Sequence, residues 1–425
     1  MNRRYFIKST SLGAVSLGFV GMPKFFVNTL HAQELGNATP GISTNSSDKI
    51  LVNIFMRGAV DGLNVVVPYG EDNYYKFRNS IAIPRPSASN EAALDLDGFF
   101  GLNPRMQNIL SMFKDKEVAF VHASGSPNGT RSHFEAQAFM ESGTPGVATT
   151  ETGWLNRTMT RVPKAELGIR NAKYDPFELV AIEPMMPLST RGDFPALSFD
   201  SINELRFRAR NSDNFASALT EMYSDNPRMS ESMTLLKEAM RIAEKSREVS
   251  INDGAYPPYP LASKLREVAK LIKMNIGLKI AFLDVTGWDT HVNEGGIEKG
   301  VLPNLLKQFD ESIKAFRDDL GDKFGDVVVV TLSEFGRTVH ENGNGGTDHG
   351  HANVMMVFGG NIKGGRVAGR WPGLANNELY QDRDLAVTTD FRTVLSEVIT
   401  KHLGVKDIQP VFPDFAYRGS ELVIG

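Results

Sequence analysis

From Lys49 onward, short apolar runs alternate with stretches patterned like amphipathic helices. Residues 50–56 (ILVNIFM), 118–122 (VAFVH), 280–285 (IAFLDV), 327–332 (VVVVTL) and 354–358 (VMMVF) are rich in β-branched or aromatic side chains and bounded by polar ones. Runs that short and that uniformly apolar predict strands buried on both faces, as in a parallel sheet covered by helices. Residues 102–113, 261–274 and 302–320 carry apolar positions at helical spacing, and the last two feed the runs at 280 and 327. Strand–helix–strand alternation implies right-handed crossovers. The expected fold class is therefore α/β, with a mostly parallel central sheet and helices on both faces. Between about 156 and 260 the strand pattern weakens. Residues 164–199 are rich in proline, 215–248 read as a charged helix, and YPPYP at 256–260 reads as a stiff linker. That span is expected to be a helical or irregular cap inserted into the α/β domain.

The polar residues just past the apolar runs carry the candidate chemistry, because α/β sheets bind ligands beyond the carboxyl ends of their strands. The chain has eight histidines, and His291, His349 and His351 follow two strands in company with Asp289 and Asp348. Carboxylates and neutral imidazoles are the ligand mix of zinc and its first-row neighbours. The first strand leads to Asp61, which reads equally as a ligand or as the Asp-Gly of a turn. The third cluster is Thr130-Arg131-Ser132-His133 at the start of a helix expected to run to about Ser142. Ser132 with Glu135 has the spacing of a capping box. The same hydroxyl at a helix N-terminus, beside a metal and Arg131, could attack a phosphoryl or sulfuryl centre, with Thr130 as a second candidate. His133 reads as a ligand, an acid/base or a packed ring.

Composition narrows the classes. A net charge of −4 and the lack of a basic patch argue against a nucleic-acid partner. With no cysteine, disulfides, thiolate metal sites and cysteine nucleophiles are excluded. The N-terminus, MNRRYFIK, places Arg3-Arg4 before a mildly apolar run at 11–22, with small Ala32 as a cleavage position. This is the pattern of a twin-arginine export signal over 1–32, followed by a flexible lead-in at 33–48 and the α/β domain over 49–425. The expected location is periplasmic or extracellular, reached through the twin-arginine machinery, with no stable membrane span in the mature chain.

Taken with that signal, the segments FMRGAVDGLNVVVP, RSHFEAQ, GWDTH, LSEFGRT and DHGHAN resemble an uncharacterised bacterial exported family, the domain of unknown function numbered fifteen hundred and one. The family is placed in the alkaline-phosphatase-like superfamily with sulfatases and phosphoglycerate mutases. The resemblance implies Asp61 as the first acidic ligand and Ser132 or Thr130 as nucleophile. It implies Asp289 and His291 as a ligand pair and His349 or His351 as the last ligand. Glu334 stands where the superfamily has an Asp-His-Gly motif, and Asp348-His349-Gly350 looks like that motif displaced across the loop. One or two divalent ions (zinc, manganese or calcium) would be held, with His133 or His349 completing a second site. Arg131 or Arg337 would stabilise charge on the transferred group, although both also read as structural ion-pair partners. The implied activity is hydrolysis of a phosphate or sulfate ester of a small molecule or glycan. The alternatives are an inactive metal-containing binding protein and an envelope assembly factor.

Overall fold

The computed structural model describes residues 25–28, 49–163, 176–205, 227–245, 255–297 and 299–425. The residues read as signal and lead-in lie outside that set apart from Phe25–Asn28. In chain order the principal elements begin with β1 (Phe25–Asn28), β2 (Ile50–Met56), α1 (Gln107–Lys114), β3 (Val118–Gly125), α2 (His133–Ser142), β4 (Leu179–Ala181), β5 (Ala196–Phe199), α3 (Pro227–Lys245) and α4 (Pro260–Lys273). They continue with β6 (Ile280–Val285), α5 (Val301–Leu320), β7 (Val327–Leu332), β8 (Arg337–Glu341), β9 (Thr347–His349), β10 (Asn353–Gly359), β11 (Arg366–Ala368), β12 (Thr389–Asp390) and α6 (Phe391–Lys401). Two compact units divide the chain: residues 1–48, 151–251 and 267–282 form one, and 49–150, 252–266 and 283–425 the other.

In the second unit β2 pairs parallel with β7, with Val330 opposite Asn53. β10 runs antiparallel to both β7 and β3, while β11 and β12 pair parallel with β3. Every strand of this set except β10 therefore points the same way, which makes the sheet mixed but mostly parallel, as the apolar runs predict. The cause is visible in burial: every residue of β2, β7, β3 and β10 is buried. Asn53 is the polar exception in β2, and its amide meets the Val330 carbonyl at 3.4 Å. α5 presents Leu302, Leu306, Phe309, Ile313, Phe316 and Leu320 as one buried stripe. Steps of three and four residues are what a helix needs to keep one face on a core.

In the first unit β4 pairs parallel with β5 and with the start of β6, and β1 lies antiparallel on β5. The span expected to lose strand character thus contains β4 and β5. The charged helix expected over 215–248 is described as α3; residues 206–226 and 246–254 lie outside the described residues.

Two other expectations change. The helix expected over 102–113 begins only at Gln107, because Gly101–Leu102 forms a strand pair with Val66–Val67 and Leu94–Asp95, and Pro104 follows. The loop before His349 is shortened to the Gly/Asn residues 342–346, which turn a two-stranded hairpin, β8 with β9, in which Arg337 lies opposite His349. No described helix is long and apolar enough to cross a membrane.

Candidate metal centre

The parallel strands β2 and β7 end side by side, and their ends are stitched together. The Gly58 N–H donates to Glu334 Oε1 (2.9 Å), the Val60 N–H to Ser333 Oγ (3.1 Å), and Ser333 Oγ to the Met56 carbonyl (2.9 Å). α2 arrives from the end of β3, the 286–291 segment from the end of β6, and the β8–β9 hairpin from β7. The Arg57 N–H donates to the Val285 carbonyl (2.7 Å), which fixes where the 286–291 segment departs.

Three imidazoles and one carboxylate meet there. His349 Nε2 lies 3.0 Å from His133 Nε2, 2.9 Å from His291 Nε2 and 3.3 Å from Asp289 Oδ1. Asp289 also stands 3.1 Å from His291 Nε2 and 3.6 Å from His133 Nε2. His133, Asp289 and His349 each offer a ligand atom within 4.8 Å of the others.

The far side of each ring explains the convergence. His133 Nδ1 faces Glu334 Oε1 at 2.7 Å, His291 Nδ1 faces Asp348 Oδ1 at 3.1 Å, and His349 Nδ1 faces the Arg131 carbonyl at 2.9 Å. Carboxylate and carbonyl oxygens only accept, so each Nδ1 carries a hydrogen, and in the neutral ring each Nε2 then presents a lone pair. Lone pairs at 3 Å repel unless a proton or a cation lies among them. Outward Nδ1–H donation with inward Nε2 is the usual support of a metal-binding histidine. The donor set, imidazole-rich with one carboxylate, suits zinc and its neighbours better than calcium, which takes oxygens.

The surrounding charges split the protons. The bond to Glu334 raises the pKa of His133 above its ordinary value, whereas burial depresses that of His349. Burial alone would push Asp289 and Glu334 up. Instead Arg337 holds the Asp289 carboxyl below the usual range, and the bonds from His133 and Gln137 do the same for Glu334.

Arg337 is fully buried and has no room to meet a transferred group. Its guanidinium donates to the carbonyls of Gly58 (2.7 Å), Ala59 (2.7 Å), Thr347 (3.0 Å) and Trp288 (3.1 Å), and to Asp289 Oδ1 (2.5 Å). It positions the carboxylate. Arg131 likewise pairs with Asp384 and donates to Gln381 Oε1 (2.9 Å), while its carbonyl holds His349.

Other expected site residues lie elsewhere. Both carboxylate oxygens of Asp61 accept from the buried guanidinium of Arg78, which also donates to Asn64 Oδ1, Thr338 O and Val339 O. Burial would raise Asp61, but Arg78 holds it below the usual range. Beside it, burial and the Asp61 charge push Glu294 well above the usual range. His351 is buried, with Nε2 3.1 Å from the Ser126 carbonyl and its ring edge-on to Tyr380. Asp348 stays outside the cluster as the partner of His291. The capping box also differs: Ser132 makes no side-chain cap. Thr130 supplies the local bonds, donating to Glu135 Oε2 (2.7 Å) and accepting from the Ser132 N–H (3.3 Å). Ser132 is exposed beside His133, and Phe134 after it is 90% exposed.

Sequence reasoning missed Gln137, Asp384, Arg78 and Glu294. Gln137 had a signal, since it stands one helical turn after His133 and donates to the same Glu334 Oε1 (2.9 Å). The others are brought in from 17 residues away or more.

Fold and site together define a mixed α/β protein with a candidate His/Asp/His metal centre at the carboxyl ends of parallel strands. The chain belongs to the family described as "Protein of unknown function (DUF1501)", whose model matches residues 48–411. No curated protein matches it. Among solved structures it is similar to a protein in the alkaline phosphatase superfamily from Vibrio parahaemolyticus, at 11% identity over 84% of this chain and 69% of that one, with a TM-score of 0.30. It is also similar to the PsFucS1 sulfatase from Pseudoalteromonas sp., at 10% identity, 85% and 69% coverage and a TM-score of 0.34. A third is the phosphonate monoester hydrolase of Agrobacterium radiobacter, at 10% identity, 84% and 74% coverage and a TM-score of 0.32. At TM-scores this low the functional reading rests on the chain's own residues.

Proposed function

We propose that this protein is an exported metal-dependent hydrolase of a phosphate or sulfate ester, with one divalent ion, zinc before manganese, held by His133, His349, Asp289 and His291. The observation that carries the reading is the convergence of three Nε2 atoms and one carboxylate, each imidazole being anchored on its far side. A divalent ion held there would supply charge neutralisation for an anionic ester and a lowered pKa for a bound water. The chain's own residues contribute the rest. α2 begins at His133, so the unpaired N–H groups and dipole of its first turn favour an anion at the same place. Ser132, exposed and not consumed in capping, is the nucleophile candidate; the Thr130 hydroxyl is engaged with Glu135. Arg3-Arg4 and the run after them make twin-arginine export the expected route, with small-molecule or glycan esters met outside the cytoplasm as substrates.

The first test is elemental analysis of the purified chain supplied with excess zinc or manganese. The reading expects one equivalent in wild type and none in His349→Ala or Asp289→Ala. Folded wild-type protein that takes up no metal sinks it. With metal present, hydrolysis of p-nitrophenyl phosphate or sulfate, lost in Ser132→Ala, is the expected second result. One observation favours a second reading, a metal-containing binding or assembly protein without turnover. Arg131 and Arg337, the two cations expected to meet a transferred group, are both engaged in ion pairs. Bound metal with no ester turned over would select that reading.

A further inference from the structure

Glu294 is wholly buried and takes no part in the cluster of imidazoles, yet it lies between two of the loops that carry them. Its Oε2 accepts from the hydroxyls of Thr290 (3.0 Å) and Thr347 (2.6 Å), and its Oε1 from the Asn64 amide (3.3 Å). Thr290 stands between Asp289 and His291 in the chain, and Thr347 directly precedes Asp348 and His349. One carboxyl oxygen therefore touches both loops, one or two residues from every candidate ligand except His133. The backbone sets the spacing of these loops. The Thr347 N–H donates to the Thr290 carbonyl (3.2 Å) and the Glu294 N–H to the Gly345 carbonyl (2.9 Å). The approach is so close that a Cβ on Gly346 would lie 2.4 Å from the Thr290 oxygen. Threonine is branched at Cβ and stiff at χ1. Holding its hydroxyl thus holds the orientation of its Cα, and with it the direction in which the neighbouring side chain leaves the chain.

A buried carboxyl is a costly way to join two loops unless its charge is removed. Glu294 also hydrogen-bonds Asp61, and two carboxyl groups in such contact share a proton. Asp61 keeps the charge, since it is paired with Arg78. The proton therefore resides on Glu294, whose pKa burial and the Asp61 charge hold well above the usual range. In that form Glu294 accepts from two hydroxyls without adding charge beside the imidazoles.

We propose that Glu294 is a positioning residue of the metal centre, tying the loop of Asp289 and His291 to the loop of His349 through the hydroxyls of Thr290 and Thr347. Its effect on metal affinity rests on the metal-dependent reading; the tie itself does not, and two measurements keep them apart. The first is zinc affinity, by competition with a chromogenic chelator. Thr290→Val combined with Thr347→Val keeps the shape and removes both donors. Affinity should fall about 10–100-fold, the usual loss when an outer support of a ligand is removed, in a chain that circular dichroism shows folded. Glu294→Ala should lose at least as much. Glu294→Gln, whose amide accepts from the hydroxyls and donates to Asp61, should bind zinc within about threefold of wild type. A carboxyl that served stability alone would lower the urea midpoint and leave affinity unmoved. The second measurement needs no metal: histidine side-chain nitrogen NMR spectra at about pH 8, above the ordinary imidazole range. His291 should be held as the Nδ1–H tautomer in wild type and Glu294→Gln, and become a mixture of tautomers in the valine pair. Unchanged zinc affinity in the valine pair, an unchanged His291 tautomer there, or a Glu294→Gln chain as weak as Glu294→Ala would each overturn the assignment. Wild type that takes up no zinc would sink the metal reading alone, with the tautomer still deciding the tie. Zinc bound without ester turnover would sink only the hydrolase.

Discussion

Two clusters of ionisable side chains stand past the strand ends of the same unit, and they are built on opposite principles. Around Asp61, Arg78 and Glu294 every charge is answered within the protein. Arg78 is wholly buried and spends its donors on Asp61, Asn64 and two carbonyls. Glu294 accepts from the hydroxyls of Thr290 (3.0 Å) and Thr347 (2.6 Å). Around His349 the outer nitrogens are answered and the inner ones are not, so lone pairs face each other. The first arrangement is a closed ion pair that locks a turn; the second is completed by a proton or a metal. Proximity of Asp and His to a strand end does not separate the two cases. The direction in which each lone pair points does.

The sharpest way to break this comparison is to remove one carboxylate from each cluster. Asp289→Ala should abolish metal uptake in elemental analysis and also lower the urea midpoint, because buried Arg337 loses its carboxylate partner. Asp61→Asn should lower stability and leave metal uptake intact. It leaves a buried guanidinium without its counter-charge, which costs on the order of 3–5 kcal/mol, read as a lowered urea midpoint with metal still bound. If Asp61→Asn empties the metal site in a folded protein, the two clusters are one site.

A smaller effect probes the outer anchors. Glu334→Gln keeps the shape but weakens the acceptor for His133 Nδ1. Metal affinity, measured by competition with a chromogenic chelator, should fall about 10–100-fold. Unchanged affinity would remove His133 from the ligand set. Metal uptake should also weaken in acid, because each Nε2 must be unprotonated to bind.

His122 provides the contrast within one residue type. Its Nε2 meets the Val66 carbonyl at 2.9 Å and its Nδ1 accepts from the Ala123 N–H at 2.9 Å, so both nitrogens are used and burial lowers its pKa from 6.5 to about 4. Between those values the unfolded chain binds the extra proton. Stability should therefore decline as pH falls from about 6.5 to about 4, by up to about 1.4 kcal/mol per pH unit. His122→Gln should flatten that slope in denaturation series at several pH values; an unchanged slope would show that the group titrates normally. Smallest is the loop before His133. Thr130→Val should cost about 1 kcal/mol through the lost bonds to Glu135 and the Ser132 N–H, whereas Ser132→Ala should leave the melting temperature unmoved because Ser132 caps nothing.

The apolar runs determined the strands, because a side chain buried on both faces of a sheet must be apolar wherever it falls, and period and length are local properties. They also determined that the acids and imidazoles cluster past the strand ends. What they left open was which of those groups face one another. Asp61 and Asp289 look alike in sequence, each an acid in a Gly-containing turn after a strand, yet one meets Arg78 and the other meets Arg337 and three imidazoles. His351 stands two residues from His349 and turns the other way, onto Ser126. Only the tertiary structure decided this, since the selecting partners, Arg78, Glu334, Asp384 and the Arg131 carbonyl, come from other elements. Hydrogen-bond direction is a property of their meeting in space, which no run of neighbouring residues encodes.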